Sequence, residues 1–166
     1  MHRTTRTAIA LLLGGSLLLA ACGSDDPEPA DDATPTTEAT TEAATDPTIV
    51  AEDFAFDGPD TWAAGPQSVT LENEGEEDHE MVLVGLDEGY TIDDVLTEVE
   101  ENPKGDPPPW ATIIGGTFAK SGTTSEQPLA ADLQPGTYAL VCLVPSKAND
   151  GQPHAALGMV KEITVA

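Results

Sequence analysis

From Pro47 onward, apolar and polar residues alternate in short runs separated by turn residues. Residues 48–56 set Ile49, Ala51 and Asp53 against Val50 and Glu52, then give Phe54 and Phe56, which predicts one strand ending at the turn Asp57-Gly58-Pro59-Asp60. Residues 68–72 alternate Val69 and Leu71 with polar neighbours and predict a second strand, closed by Asn73-Glu74-Gly75. Residues 80–86 carry Met81, Val82, Leu83, Val84 and Leu86, apolar enough for a strand buried on both faces. Residues 126–133, 137–144 and 159–165 predict three more, with Gln134-Pro135-Gly136 as the turn between the first two.

The period changes once. Ile92, Val95, Leu96 and Val99 recur at helical spacing, with Thr91 as N-cap and Asp94 three residues on, so a helix is expected over 92–101 with its apolar face on the sheet. Asn102-Pro103-Lys104-Gly105 stops it, and Asp106-Pro107-Pro108-Pro109 forms a rigid connector to Trp110. Ile113-Ile114, before Gly115-Gly116, reads only as a short apolar piece. Some six short strands and one peripheral helix predict an all-β sandwich over residues 47–166.

The N-terminal part follows different rules. Arg3 and Arg6 precede an apolar run that ends in Leu19-Ala20-Ala21-Cys22, the pattern of an export signal over residues 1–21. Its last four residues resemble the lipobox of bacterial lipoproteins, which implies cleavage before Cys22 and lipid attachment to its sulfur. Residues 22–46 are rich in Thr, Ala, Pro and acids, with no aromatic or large aliphatic side chain. Such a segment cannot bury enough apolar surface to offset chain entropy and is expected to be a disordered acidic linker. The folded part is therefore expected at the cell membrane, lipid-anchored on the extracytoplasmic face.

Charge narrows the partners. The formal net charge is −24, from 30 acidic and 6 basic side chains. A surface of that sign repels phosphate backbones, so nucleic acid is excluded and a steered protein partner should be basic. A monomer is expected.

Beyond the signal, the chain retains His79 and His154, Met81 and Met159, and one cysteine besides Cys22, namely Cys142. A lone thiol outside the cytoplasm has no internal disulfide partner and needs a reason to be there. Residues 138–160 place Cys142, His154 and Met159 in that order, between a strand-like run and the last predicted strand.

That order, with Pro135-Gly136-Thr137-Tyr138 before it and His79 after the Asn73-containing turn, resembles the cupredoxin family, the plastocyanin and azurin type of blue copper domain. The resemblance implies a cupredoxin-like Greek-key β-sandwich and one mononuclear copper ion. It also implies that His79 and His154 donate imidazole nitrogen, Cys142 thiolate and Met159 an axial thioether. A His2Cys plane with a weak axial thioether suits one-electron transfer. Zinc is the rival metal, with water in place of methionine, and Met81 is the weaker axial candidate. Eleven residues separate Cys142 from His154, more than in plastocyanin or azurin, so this insert must fold back to complete the site. No nucleophile elbow or phosphate loop is present, and no enzyme is expected. A copper-delivery protein without redox turnover and a metal-free sandwich acting as a binding module are the alternatives.

Overall fold

The computed structural model describes residues 46–103 and 105–166; the expected signal, Cys22 and all of the linker except Asp46 lie outside the described residues. β1 (Thr48–Glu52) and β2 (Ala55–Asp57) form an antiparallel hairpin where the alternation predicts one strand. The reversal falls at Phe54, whose φ of +66° is left-handed. Asp53 beside it faces away from β1 to accept the backbone N–H groups of Glu76 and Glu77. A tertiary contact, invisible in a period-two pattern, thus breaks the strand.

Next come β3 (Thr61–Trp62), β4 (Gly65–Asn73), β5 (His79–Leu86), α1 (Ile92–Glu101) and β6 (Ala111–Ala119). They are followed by β7 (Leu129–Leu133), β8 (Gly136–Val141), a 3₁₀ turn (His154–Leu157) and β9 (Val160–Val165). One sheet has the order β2-β1-β4-β7 and the other β3-β9-β8-β5-β6. β1 with β4 and β3 with β9 are parallel pairs, and the remaining pairs are antiparallel. After β7 in the first sheet, β8 crosses to lie between β5 and β9 in the second, as in a Greek key. The all-β sandwich with one helix is the expected architecture. Two strands escaped the pattern: β3 is too short to show one, and β6 is an edge strand interrupted by Gly115 and Gly116, with Ile113, Ile114 and Phe118 exposed.

Between the sheets Ile49, Leu71, Leu83, Leu140 and Ile163 are fully buried. A second cluster lies under α1, where Val95 and Val99 pack with Ala139, Val141 and Ala155. β8 is therefore the strand buried on both faces. On β5, His79, Met81 and Leu83 are buried while Val82 and Val84 are only partly so. The helix bounds match the sequence reading, and the Asp94 carboxylate accepts from the Thr91 backbone N–H at 2.9 Å.

β8 is anchored at its start by Tyr138, whose hydroxyl donates to the Gln134 carbonyl at 2.8 Å and accepts the Gln134 N–H at 3.2 Å. Tyr138→Phe should lower the unfolding free energy by about 0.5–1.5 kcal/mol in urea denaturation. Leu140→Ala, in the same strand but inside the core, should lower it by about 2–5 kcal/mol.

Candidate metal centre

Each candidate ligand is set by backbone geometry. Asn73, ending β4, donates through Nδ2 to the carbonyls of Glu77 (2.9 Å) and Ala119 (3.0 Å), and its Oδ1 accepts the Gly75 N–H. This ties residues 73–77 into a turn that delivers His79 to the first position of β5, fully buried. Cys142 follows β8; its N–H donates to the Met159 carbonyl at 3.2 Å and its carbonyl accepts the Ala155 N–H at 2.7 Å. His154 opens the 3₁₀ turn, with its N–H on the Val144 carbonyl and its carbonyl accepting the Met159 N–H at 3.0 Å. Met159 is thus tied by its backbone to both Cys142 and His154, and its side chain is buried in the same cluster as that of Cys142. Met81 is also buried in that cluster, from within β5.

The insert folds back. Pro145 and Pro153 pair across its neck, the Ser146 N–H donates to the Gln152 carbonyl at 2.8 Å, and Asp150 and Gly151 turn the tip with left-handed φ angles. The loop is held from outside by carboxylates: Glu80 Oε1 accepts the Leu143 N–H at 3.1 Å, and Glu77 makes the larger set of contacts. Glu77 Oε1 accepts from the Ser146 hydroxyl (3.0 Å) and the Ala148 N–H (3.3 Å), while Oε2 accepts the Lys147 N–H (2.8 Å) and lies 3.3 Å from His154 Nε2. The Lys147 N–H above all, with Ser146, Ala148 and His154, outweighs burial and lowers the Glu77 carboxyl from its ordinary 4.5 to about 2.

At the centre, His79 Nδ1 and His154 Nδ1 are 3.0 Å apart, and Cys142 Sγ lies 3.9 Å from the first and 3.5 Å from the second. All three residues are fully buried. A triangle with these sides has a point about 2.0 Å from every corner, close to the ~2.0–2.3 Å that first-row metals keep to imidazole nitrogen and thiolate sulfur.

Hydrogen-bond accounting points the same way. His79 Nε2 faces Asp53 Oδ1 at 3.1 Å, and His154 Nε2 faces Glu77. A neutral imidazole has one N–H and an ionised carboxylate only accepts, so with both rings neutral each N–H is best placed on Nε2. Both Nδ1 lone pairs then converge across 3.0 Å. Moving one hydrogen inward relieves that pair only by setting a bare Nε2 against a carboxylate. A cation between the two nitrogens satisfies every group, and the nearby sulfur is a donor suited to a metal ion.

Burial favours the neutral form of His79, lowering its pKa against the opposing pull of Asp53, and pushes the Cys142 thiol up to about 11 in the metal-free protein. A bound metal deprotonates such a thiol outright. Burial also opposes ionisation of Asp53, but the Glu76 and Glu77 N–H groups and His79 overcome it and hold its carboxyl below the usual range. Phe54 closes the site with its ring edge-on to His154, centroids 5.1 Å apart.

The structure brings His79, Cys142 and His154 together. Asp53, Glu77 and Phe54 were not singled out by sequence reasoning. Asp53 left one trace: it occupies an apolar position in the alternation of residues 48–56. Glu77 left none, being one of several acids before His79.

The two-sheet sandwich has the architecture that the resemblance implies, and its buried His–Cys–His cluster has a donor set suited to a first-row metal ion. No protein-family model and no curated protein sequence matches the chain. Among solved structures it is similar to reduced auracyanin from the photosynthetic bacterium Roseiflexus castenholzii, at 23% identity over 72% of this chain and 94% of that one, TM-score 0.47. Auracyanin A, a "blue" copper protein from Chloroflexus aurantiacus, matches at 20% identity over 72% and 99%, TM-score 0.41. Rusticyanin from Thiobacillus ferrooxidans matches at 21% over 72% and 76%, TM-score 0.43. The ligand assignment comes from this chain's own side chains.

Because its pKa is lower in the folded chain, Glu77 contributes stability that is full above pH 4.5 and is lost as pH falls toward about 2. Urea denaturation of the metal-free protein should show stability falling through that window. In Glu77→Gln, whose amide must set a donor against a donor at Ser146, Lys147, Ala148 or His154, stability should be lower at neutral pH and the fall shallower.

Proposed function

We propose that this chain is a membrane-anchored, extracytoplasmic electron carrier that holds one copper ion between His79, Cys142 and His154, with Met159 as the axial donor. Copper held there would alternate between its +1 and +2 states, carrying a single electron. The observation that carries the reading is the convergence of two imidazole Nδ1 atoms and one sulfur on a common point, with both Nε2 atoms already committed to carboxylates. A buried thioether on the residue tied to both Cys142 and His154 favours copper over zinc, which gains little from methionine.

The protein's part is to keep the donors still. His79 is fixed on a strand, Cys142 by two backbone hydrogen bonds, and His154 by the 3₁₀ turn and Glu77. Small rearrangement between oxidation states is what rapid electron transfer requires. Burial favours this reading over copper delivery, because His79, Cys142, His154 and Met159 are all 0% exposed and an ion could not be passed on without opening the loop. Anchoring rests on the lipobox-like ending at Cys22, and the acidic linker would hold the domain off the membrane as a monomer. The negative charge suits a basic redox partner, with association weakening as salt rises.

Adding Cu(II) to the purified protein should produce an intense visible thiolate-to-copper band and a reversible one-electron wave. Cys142→Ser should abolish the band. Stoichiometric Cu(I) uptake without a redox wave would favour delivery, and no copper uptake in either state would overturn the reading.

A further inference from the structure

The two carboxylates behind the histidines come from separate parts of the chain. Asp53 sits in the β1–β2 hairpin and Glu77 in the turn before β5, yet each takes the outer nitrogen of a different imidazole. Neither contact is incidental. Asp53 Oδ1 is aimed by the Glu76 and Glu77 N–H groups at 3.1 and 3.2 Å, and Glu77 by its loop donors. Space is reserved as well, because a Cβ on Gly75 would stand 2.5 Å from Asp53 Oδ1 and 2.7 Å from His79 Nε2. Only glycine lets this turn cross the Asp53–His79 contact without displacing it.

We propose that Asp53 and Glu77 are positioning residues that turn both imidazoles Nδ1-inward and, with two negative charges behind the rings, bias the centre toward a dipositive over a monopositive ion. The inference rests on the metal reading above and extends it to ion preference. A carboxylate hydrogen-bonded to a ligand imidazole raises its basicity, and the gain grows with the charge of the ion it faces. Screening ranks the two: the Glu77 side chain is 11% exposed and that of Asp53 31%, so Glu77 acts through the less hydrated path.

The test compares Zn(II), a redox-inert dipositive ion, with Cu(I) on the full chain. Asp53→Asn retains an oxygen for His79 Nε2 and removes the charge. It should weaken Zn(II) binding by about 10–100-fold and Cu(I) binding by about tenfold less. A tenfold change in the Cu(II)/Cu(I) affinity ratio would raise the potential of the copper-loaded variant by about 59 mV. Gly75→Ala, which forces the pair apart without touching a charge, should shift ion preference the same way, and Glu77→Gln should do so more strongly. In ¹⁵N NMR of the zinc-loaded wild type, both rings should carry hydrogen on Nε2.

Equal weakening of both ions in all three variants would mean a purely structural role and would overturn the proposal, as would either ring carrying hydrogen on Nδ1. A wild type with the predicted preference but no redox wave would sink the electron-transfer reading and leave this one standing. A wild type that takes up neither ion would overturn both.

Discussion

Carboxylates flanking His79 join the two chain segments that carry the histidines: Glu80 accepts the Leu143 N–H at 3.1 Å, and Glu77 reaches further in. Glu77 lies two residues before His79, and its side chain crosses to the insert between Cys142 and His154, where it accepts from Ser146, Lys147 and Ala148 and meets His154 itself. Without Glu77 the eleven-residue insert would have less to offset the entropy of closing on the site. With it, the loop becomes part of the wall. The insert between Cys142 and His154 is held by the same group that meets the His154 ring.

The remainder of the fold serves that placement. β4 and β5 lie in opposite sheets, and the Asn73 side chain closes the turn between them by bonding to Glu77 and Ala119. β8 lies between β5 and β9 with both faces buried, so Cys142 follows the end of an interior strand. The Phe54 reversal, unfavourable for a residue with a Cβ, brings Asp53 to His79 and the Phe54 ring to His154. Among the described residues the buried side-chain nitrogens and oxygens other than the two facing Nδ1 atoms have hydrogen-bond partners, which is how several polar groups are tolerated in so small a core.

What the chain made legible follows from the physics of each signal. Helix α1 was readable to its ends because capping and a 3.6-residue period are local. The sandwich class was readable because short alternating runs between turns allow few other packings. The histidines, Cys142 and Met159 stood out because those residue types are scarce in residues 46–166. Asp53 and Glu77 did not, since carboxylates are abundant here and only the fold distinguishes two of them from the rest. The break after Glu52 and the strand β6 were lost for a related reason: one depends on a tertiary hydrogen bond and the other is an edge strand carrying paired glycines. The expected signal and lipid-attachment site fall within residues 1–45, outside the described residues.

A single copper ion held by two imidazoles and one thiolate of this chain would be seen directly by X-ray absorption at the copper edge. In the protein loaded with one equivalent of copper, one sulfur at about 2.2–2.3 Å and two nitrogens at about 2.0 Å are expected. A first shell of nitrogen and oxygen alone, with no sulfur at that distance, would contradict that coordination.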